Sequence, residues 1–246
     1  MSRPQYTFGD SDLAAERLAL VADAFAEPSR RLLEQAVPVG LDVLDLGCGP
    51  GYSTRLIAEV CRPRRLVGVD SSESYVAMAR RDGGAEFLVH DVTATPLPGA
   101  PADALYVRLL LAHLPDPLGL VERWRTQLRP GGVLVLDELD AMDPPPGPLR
   151  TYEDVVVEVV AAGGGAMYAG PLLAPLGGRS VEHLVDSAAA ARMYGMNMPS
   201  WRDRAVAAGI ATGAELDELA AGLAAVADRP GESTVRWVLY QAVVEA

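Results

Sequence analysis

Three acidic residues follow short apolar runs, and the first of them precedes a glycine-rich turn. Asp45 stands in LDLGCGPGY, Asp70 ends RLVGVD and Asp91 ends AEFLVHD. A carboxylate at the end of a strand can accept hydrogen bonds from a ribose diol or from the exocyclic amine of adenine. No lysine lies near the glycines to hold a phosphate. The pattern therefore predicts a nucleoside site without a phosphate clamp.

The glycines of this turn depart from a dinucleotide-binding fingerprint. Gly47, Gly49 and Gly51 occupy alternate positions. The fingerprint G-x-G-x-x-G would place the third glycine where this chain has Tyr52. An acid directly before the glycines suits a ligand with an ammonium and a sulfonium group better than a pyrophosphate. A nicotinamide-dependent dehydrogenase is thus the weaker interpretation.

The acids can meet only if their strands end at one edge of a sheet. Apolar runs predict strands over 42–46, 65–70, 85–91, 102–108 and 132–138. Helical patterns over 54–61, 74–81 and 120–128 separate them. This alternation predicts an α/β fold, namely a doubly wound, Rossmann-like and mostly parallel sheet.

The rest of the chain predicts a helical cap and a lid around that sheet. Residues 11–36 carry apolar positions at helical spacing. Later segments predict helices over 151–161 and 213–229, a weak strand over 180–190 and a last strand over 233–245, with Pro- and Gly-rich stretches among them. We expect one domain over 1–246, divided into an N-terminal helical cap (1–40), a cofactor-binding core (41–140), a substrate lid (141–200) and C-terminal helices with the last strand (201–246).

Composition restricts the partners of the chain. Its 246 residues include 33 acidic and 21 basic side chains, a formal charge of −12. Nucleic-acid binding depends on Lys and Arg that neutralise phosphates, so the excess of acid disfavours such a partner. No apolar run reaches the roughly 18 residues of a membrane span, and the first residues lack a signal-peptide core. Two cysteines suit a reducing compartment. We expect a cytoplasmic protein that acts on a small molecule.

Five segments together resemble the class I S-adenosylmethionine-dependent methyltransferases. They read VLDLGCGPGYST, VGVDSS, HDVTATPLP, ALYVRLLLAHLPDP and LRPGGVLVLDELD, and they lie within residues 43–140. The chain looks like the small-molecule branch of the family, typified by quinone-biosynthesis and actinobacterial natural-product enzymes. The resemblance implies S-adenosyl-L-methionine as the cofactor and a seven-stranded sheet whose last strand is antiparallel. It also implies methyl transfer to a small molecule, in specialised metabolism.

The resemblance further implies a set of cofactor-binding residues. These are Tyr6, Arg17, Asp45, Gly47, Cys48, Gly49, Gly51, Asp70, Ser71, Asp91, Val92 and Arg108. The glycines would approach the methionine part, and the acid before them would support the loop or the cofactor ammonium. Asp70 would bind the ribose, and Asp91 with Val92 would hold the adenine. Tyr6 and Arg17 lie where relatives close over the methionine carboxylate, and the residue that ends the fourth strand would line the transfer site.

Two residues are candidates for a general base. His113 follows the fourth strand, and Tyr168 lies in the lid. Histidine has an ordinary pKa suited to proton removal near neutrality. An oxygen acceptor would require such a base, whereas a carbon or nitrogen acceptor could react without one, and the sequence does not choose between them. Methionines and aromatic residues in the lid predict either a wall for a hydrophobic or aromatic acceptor or a small core of their own.

Several alternatives stay open. The chain could bind the cofactor without transferring methyl, as a cyclisation catalyst or a partner subunit, or it could be an NAD-dependent dehydrogenase. Its oligomeric state is open, with a homodimer as one option. We expect no metal, because the acids Glu138, Asp140 and Asp143 come from one chain segment.

Overall fold

The computed structural model describes residues 12–246, within which seven strands form one sheet. The strands are β1 (Asp42–Leu46), β2 (Arg65–Asp70), β3 (Glu86–Val89), β4 (Ala102–Arg108), β5 (Leu128–Asp143), β6 (Arg179–Asp186) and β7 (Thr234–Glu245). Their spatial order is β3-β2-β1-β4-β5-β7-β6. Strands β1 to β5 pair in parallel, and β7 is antiparallel to both of its neighbours. The predicted mostly parallel sheet with an antiparallel last strand is confirmed.

Eight α-helices accompany the sheet in the described part of the chain. They are α1 (Asp12–Ala36), α2 (Tyr52–Cys61), α3 (Glu73–Asp82), α4 (Pro117–Arg125), α5 (Pro148–Ala162), α6 (Gly170–Leu173), α7 (Ser187–Ala207) and α8 (Gly213–Ala227). Short 3-10 helices cover Leu111–His113 and Ala174–Leu176. None of the helices within 12–246 is long and apolar enough to cross a membrane.

Alternate residues of the strands feed two apolar layers. Tyr106 packs with α2 and the C-terminal half of α1, whereas its neighbours Leu105 and Val107 pack with α4 and α6. Side chains that point to opposite faces at every second position produce this division. Helices therefore cover both faces of the sheet, as the doubly wound fold requires.

The strand order creates the place where a ligand is expected. The chain leaves β1 towards β2, and β4 lies on the other side of β1. In open α/β sheets, ligands bind beyond the carboxyl ends of the strands at such a switch point. The glycine turn follows β1, while Asp70 ends β2 and Asp91 follows β3. The fold thus brings the predicted nucleoside-binding residues to one edge.

The prediction was wrong for residues 187–190, which begin α7 instead of ending a strand. The carboxylate of Asp186 accepts hydrogen bonds from the N–H groups of Ala188 and Ala189, at 3.0 and 3.1 Å. An acidic N-cap followed by alanines favours a helix, and this local signal overrides the apolar run. The division into cap, core and lid stays a prediction.

A proline inside α1 leaves one carbonyl for the sheet to satisfy. Pro28 has no N–H, so the carbonyl of Ala24 lacks its usual donor four residues later. The Nε2 of His183 on β6 lies 2.6 Å from that carbonyl oxygen and fills the place of the missing donor. The ring of His183 also lies near Phe25, with centroids 6.5 Å apart. These contacts give His183 a structural role that joins the helical cap to the edge of the sheet.

We expect His183→Ala to lower the free energy of unfolding by about 1 kcal/mol, because it removes the donor to a partly buried carbonyl. Adding Pro28→Ala should recover part of that loss, since the new N–H can donate to the Ala24 carbonyl within the helix. Urea denaturation of the single and double variants measures both effects. A loss that Pro28→Ala does not reduce would contradict this account of His183.

Candidate active site

The glycine turn is packed tightly from the protein side and open at its middle. Its glycines have φ values of +71° (Gly47), +51° (Gly49) and +88° (Gly51), which favour glycine. A Cβ atom on Gly47 would lie 2.8 Å from Leu110, and one on Gly51 would lie 3.2 Å from α3. The nearest atom to a Cβ on Gly49 is 3.9 Å away, in Leu18 of α1. A ligand can therefore approach the backbone most closely at Gly49.

Asp45 supports this turn from below. Its carboxylate is buried and accepts hydrogen bonds from the hydroxyls of Ser53 and Thr54, at 2.7 and 2.6 Å. Burial raises the pKa of Asp45, and the two hydroxyls and Arg108 at the end of β4 oppose that shift. The carboxylate thus fixes the first turn of α2 behind the glycines. Of its two predicted roles, the structure displays support of the loop.

Asp70 connects the end of β2 to the glycine turn. One of its oxygens accepts the N–H of Gly49 at 2.9 Å, and the other accepts the N–H of Ser72 at 2.8 Å. These bonds hold the carboxylate at the carboxyl edge of the sheet, where it is partly exposed. Because each carboxylate oxygen has two acceptor sites, the group can also accept ribose hydroxyls. Ser71, beside it, is exposed.

Asp91 is held in a turn after β3. Its Oδ1 accepts the N–H of Thr93 at 3.0 Å and the Thr93 hydroxyl at 2.7 Å. The next residue, Val92, is buried, and its carbonyl accepts the indole N–H of Trp124 at 2.8 Å. The turn is therefore anchored to α4, and its carboxylate is fixed beside the edge at which the sequence predicted a nucleoside site.

Cys48 is a packing residue. Its thiol is buried beside α3, and burial raises its pKa, with the charges of Asp45 and Asp70 adding to the effect. A thiol with a raised pKa is a poor nucleophile. Its position among the cofactor-binding residues therefore depends on its backbone.

Helix α1 crosses over this edge. The hydroxyl of Tyr52 donates to the carbonyl of Ala15 at 3.2 Å. Arg17, two residues further along α1, is only 7% exposed. Burial lowers the pKa of His113 and raises that of Tyr152, and at both rings the positive charge of Arg17 is a smaller contribution that lowers the pKa. A buried guanidinium therefore lies near these two rings. Tyr6 lies outside the described residues.

The two candidate bases occupy neighbouring segments, and both are weakened by their surroundings. His113 ends the 3-10 helix after β4, and desolvation together with Arg17 lowers its pKa to about 4. The hydroxyl of Tyr168 donates a short hydrogen bond to the carboxylate of Glu153, and burial and this carboxylate raise the Tyr168 pKa. At pH 7 the histidine is neutral but weakly basic, and the tyrosine holds its proton. Their catalytic roles stay predictions.

The sequence did not predict one buried polar contact beside the site. Glu138, on β5, is 1% exposed, and its Oε1 accepts the N–H groups of Leu110 and Leu111 at 2.9 and 3.0 Å. Burial raises its pKa to about 7. An acid inside the apolar run GVLVLDELD was the available signal, and we had weighed it only as a metal ligand. The described residues contain no group of three or more His, Cys, Asp or Glu placed to hold a metal ion.

Most of the methionines and aromatic residues of the lid are buried in an apolar cluster against the sheet. The rings of Tyr152 and Tyr194 stack with centroids 4.0 Å apart, and Trp201 lies 5.7 Å from Tyr152. Met193 and Met198 are buried in the same cluster. Neither interpretation is complete, because the same cluster includes Leu139 of β5 and Trp237 of β7 and is therefore part of the main core beside the sheet. Met167 and Tyr168 are partly buried at its border.

Comparison with known proteins gives consistent matches. A family model described as "Methyltransferase domain" matches residues 44–136. Trans-aconitate 2-methyltransferase of Variovorax paradoxus (strain S110) is 37% identical over 161 residues, which cover 63% of this chain and 61% of that protein. The enzyme of the same name from Azoarcus sp. (strain BH72) is 39% identical over 118 residues, 47% of this chain and 46% of that protein. The matched segment thus spans about half to three fifths of these relatives.

A solved structure extends the likeness of fold over most of the chain. The YcgJ protein of Bacillus subtilis superimposes with a TM-score of 0.56 and 14% identity, covering 89% of this chain and 99% of that one. At this identity the match shows the Rossmann-like fold alone.

We expect Asp70→Asn to weaken the binding of S-adenosylhomocysteine about tenfold or more, because it removes a charged acceptor that also holds the glycine turn. Calorimetric titration measures the affinity. Asp82→Asn is the matched control, since Asp82 is an exposed acid on α3 that pairs with Arg55. Equal affinity in both variants would place the nucleoside elsewhere.

Proposed function

We propose that this chain, which carries a class I S-adenosylmethionine-dependent methyltransferase domain over residues 44–136, transfers methyl to a carboxylate of a small organic acid. The resemblance predicted from the sequence is confirmed, and S-adenosylmethionine is the cofactor of this family. The site fits that cofactor, because the backbone is open at Gly49 and Asp70 and Asp91 are fixed at adjacent strand ends. When bound, the cofactor supplies an electrophilic methyl group on a sulfonium.

The low basicity of both candidate bases favours an acceptor that needs no proton removal. A hydroxyl or amine must lose a proton when it is methylated, and a base with a pKa near the working pH serves that step best. His113 has a pKa of about 4, and Tyr168 holds its proton against Glu153. A carboxylate is already ionised at neutral pH. Its oxygen can form the bond to the methyl carbon while the sulfur keeps the electron pair, and no proton leaves.

The charge of the site supports the same acceptor. Arg17 is a buried cation beside His113, in a chain whose net charge is −12. A buried guanidinium is stabilised by an anionic ligand and can bind a carboxylate through two hydrogen bonds. The relatives named trans-aconitate 2-methyltransferase suggest an acid of this class. Positioning such an acceptor near the methyl group can supply much of the acceleration.

The earlier expectation of a hydrophobic or aromatic acceptor now has less support. It rested on lid residues such as Tyr194 and Trp201, which are buried in the apolar cluster beside the sheet. We also propose a small-molecule substrate and a cytoplasmic location. The two free, buried cysteines suit a reducing compartment. A role in specialised metabolism and a homodimeric state also stay proposals.

The acceptor class can be tested with methyl-labelled S-adenosylmethionine and a panel of small molecules. The panel should contain trans-aconitate, citrate and simple dicarboxylates, together with phenols and amines. We expect label to enter the acids and to leave again as methanol after mild alkali, because esters hydrolyse where ethers and N-methyl groups do not. Alkali-stable product would overturn the carboxylate assignment. Binding of S-adenosylhomocysteine without turnover of any acceptor would favour a non-transferring protein, and binding of NADH instead would favour a dehydrogenase.

Arg17→Gln distinguishes the acceptor from the cofactor as the partner of this guanidinium. If Arg17 binds the acid, we expect KM for the acid to rise about tenfold or more, with unchanged affinity for S-adenosylhomocysteine. If it closes over the methionine carboxylate, as the sequence predicted, the affinity for S-adenosylhomocysteine should fall. Arg31→Gln is the control on the same helix, since Arg31 is exposed and pairs with Glu27.

A further inference from the structure

The turn after β4 depends on acceptors supplied by β5. Leu109, the first residue of this turn, has a φ of +51°, which is unfavourable for leucine. Its N–H donates to the carbonyl of Asp137 at 3.1 Å. The next two N–H groups, of Leu110 and Leu111, donate to one carboxylate oxygen of Glu138. Three consecutive backbone donors are thus satisfied by two adjacent residues of the neighbouring strand.

This turn touches both halves of the proposed site. The side chain of Leu110 packs against Gly47, 2.8 Å from the place that a Cβ atom would take. Three residues later, His113 lies near the guanidinium of Arg17. A shift of the turn would therefore change the support of the glycine turn and the acceptor side together.

Glu138 makes these bonds from a buried position. Its Oε2 has no hydrogen-bond partner among residues 12–246. Removal of both bonds would leave the partly buried N–H of Leu110 and the buried N–H of Leu111 unsatisfied, and a buried unsatisfied N–H costs free energy. A carboxylate that accepts two N–H groups holds them more strongly when it is ionised. The ionisation state of Glu138 therefore bears directly on how firmly the turn is held.

We propose that Glu138 is a positioning residue whose ionised carboxylate fixes the turn from Leu109 to His113, and that protonation of Glu138 loosens this turn and weakens cofactor binding. The proposal rests on the cofactor site of the proposed function and not on the acceptor. It goes beyond that function by making affinity for the cofactor depend on pH near neutrality.

The neighbouring titratable groups leave Glu138 as the group that changes charge near pH 7. Desolvation raises its pKa to about 7, with the charge of Asp137 adding to the effect. His113, with a pKa of about 4, stays neutral above pH 6. Tyr240 of β7 pairs in register with Glu138, and its pKa is raised above 10. Asp140 lies two residues along on the same strand face, and α6, whose sequence is GPLL, adds no charge.

The test compares the chain at pH 6 and pH 8 without any acceptor. In the wild type we expect the amides of Leu110 and Leu111 to exchange about fivefold faster at pH 6, after correction for intrinsic rates, and S-adenosylhomocysteine to bind about fivefold more weakly. In Glu138→Gln, both pH differences should vanish. Asp140→Asn is the matched control on the same strand and should keep both differences.

Each contrary result is distinct. Unchanged exchange between the two pH values in the wild type would overturn the proposal without any variant, even if Glu138→Gln fails to fold. Loss of the pH difference in Asp140→Asn as well would assign it to another group. Absence of S-adenosylhomocysteine binding at every pH would contradict the proposed function, whereas amide exchange would still report on Glu138.

A stability measurement gives a second, independent readout. Because the folded-state pKa of Glu138 lies above the ordinary value of 4.5, the folded chain binds this proton more tightly than the unfolded chain. Its ionisation therefore lowers stability progressively as pH rises from about 4.5 through about 7. We expect the melting temperature of Glu138→Gln to gain on that of the wild type between pH 5 and pH 8. A gap that does not change with pH would contradict a raised pKa.

Discussion

Two adjacent buried carboxylates on β5 hold the parts of the molecule that surround the ligand edge. Asp137 accepts from Ser29 of α1 at 2.5 Å, from Tyr106 of β4 at 2.9 Å and from Gln241 of β7 at 3.0 Å. Glu138, on the opposite face, accepts from the turn after β4. A buried carboxylate is tolerated only where hydrogen bonds replace its water. The position of α1 and that of the turn are therefore consequences of where β5 places these two charges.

Helix α1 connects the buried carboxylate of Asp137 to the charge of the site. It is fixed at its C-terminal half by Ser29 and by the apolar layer around Leu33. Its N-terminal half extends over the glycine turn and brings Arg17 beside His113. Desolvation and this guanidinium together lower the pKa of His113, and the guanidinium also supplies positive charge for an anion. A site that is poor at removing protons and favourable for anions suits an acceptor that arrives already ionised.

The sequence predicted what depends on neighbours along the chain. Strands β1, β2 and β4 cover the ranges that their apolar runs predicted, and the spacing of the glycines alone predicted the turn after β1. It did not predict α7, because the N-cap at Asp186 competes with a strand-like run. Nor did it predict the role of Glu138, whose partners are backbone groups of a distant turn that carry no signature in their side chains. The sequence also did not decide whether the aromatic residues of the lid contact a ligand or one another. Whether Tyr194 stacks on Tyr152 depends on tertiary packing.

The proline in α1 has a consequence for how this chain can vary. Pro28 leaves the Ala24 carbonyl without a donor in the helix, and the ring of His183 takes the place of that donor. Without His183 the Ala24 carbonyl would lack a donor, and without Pro28 the helix itself would supply one. Related chains should therefore keep or exchange the pair as a unit. Covariation between these positions would identify the chains in which helix α1 is bonded to the edge strand of the sheet.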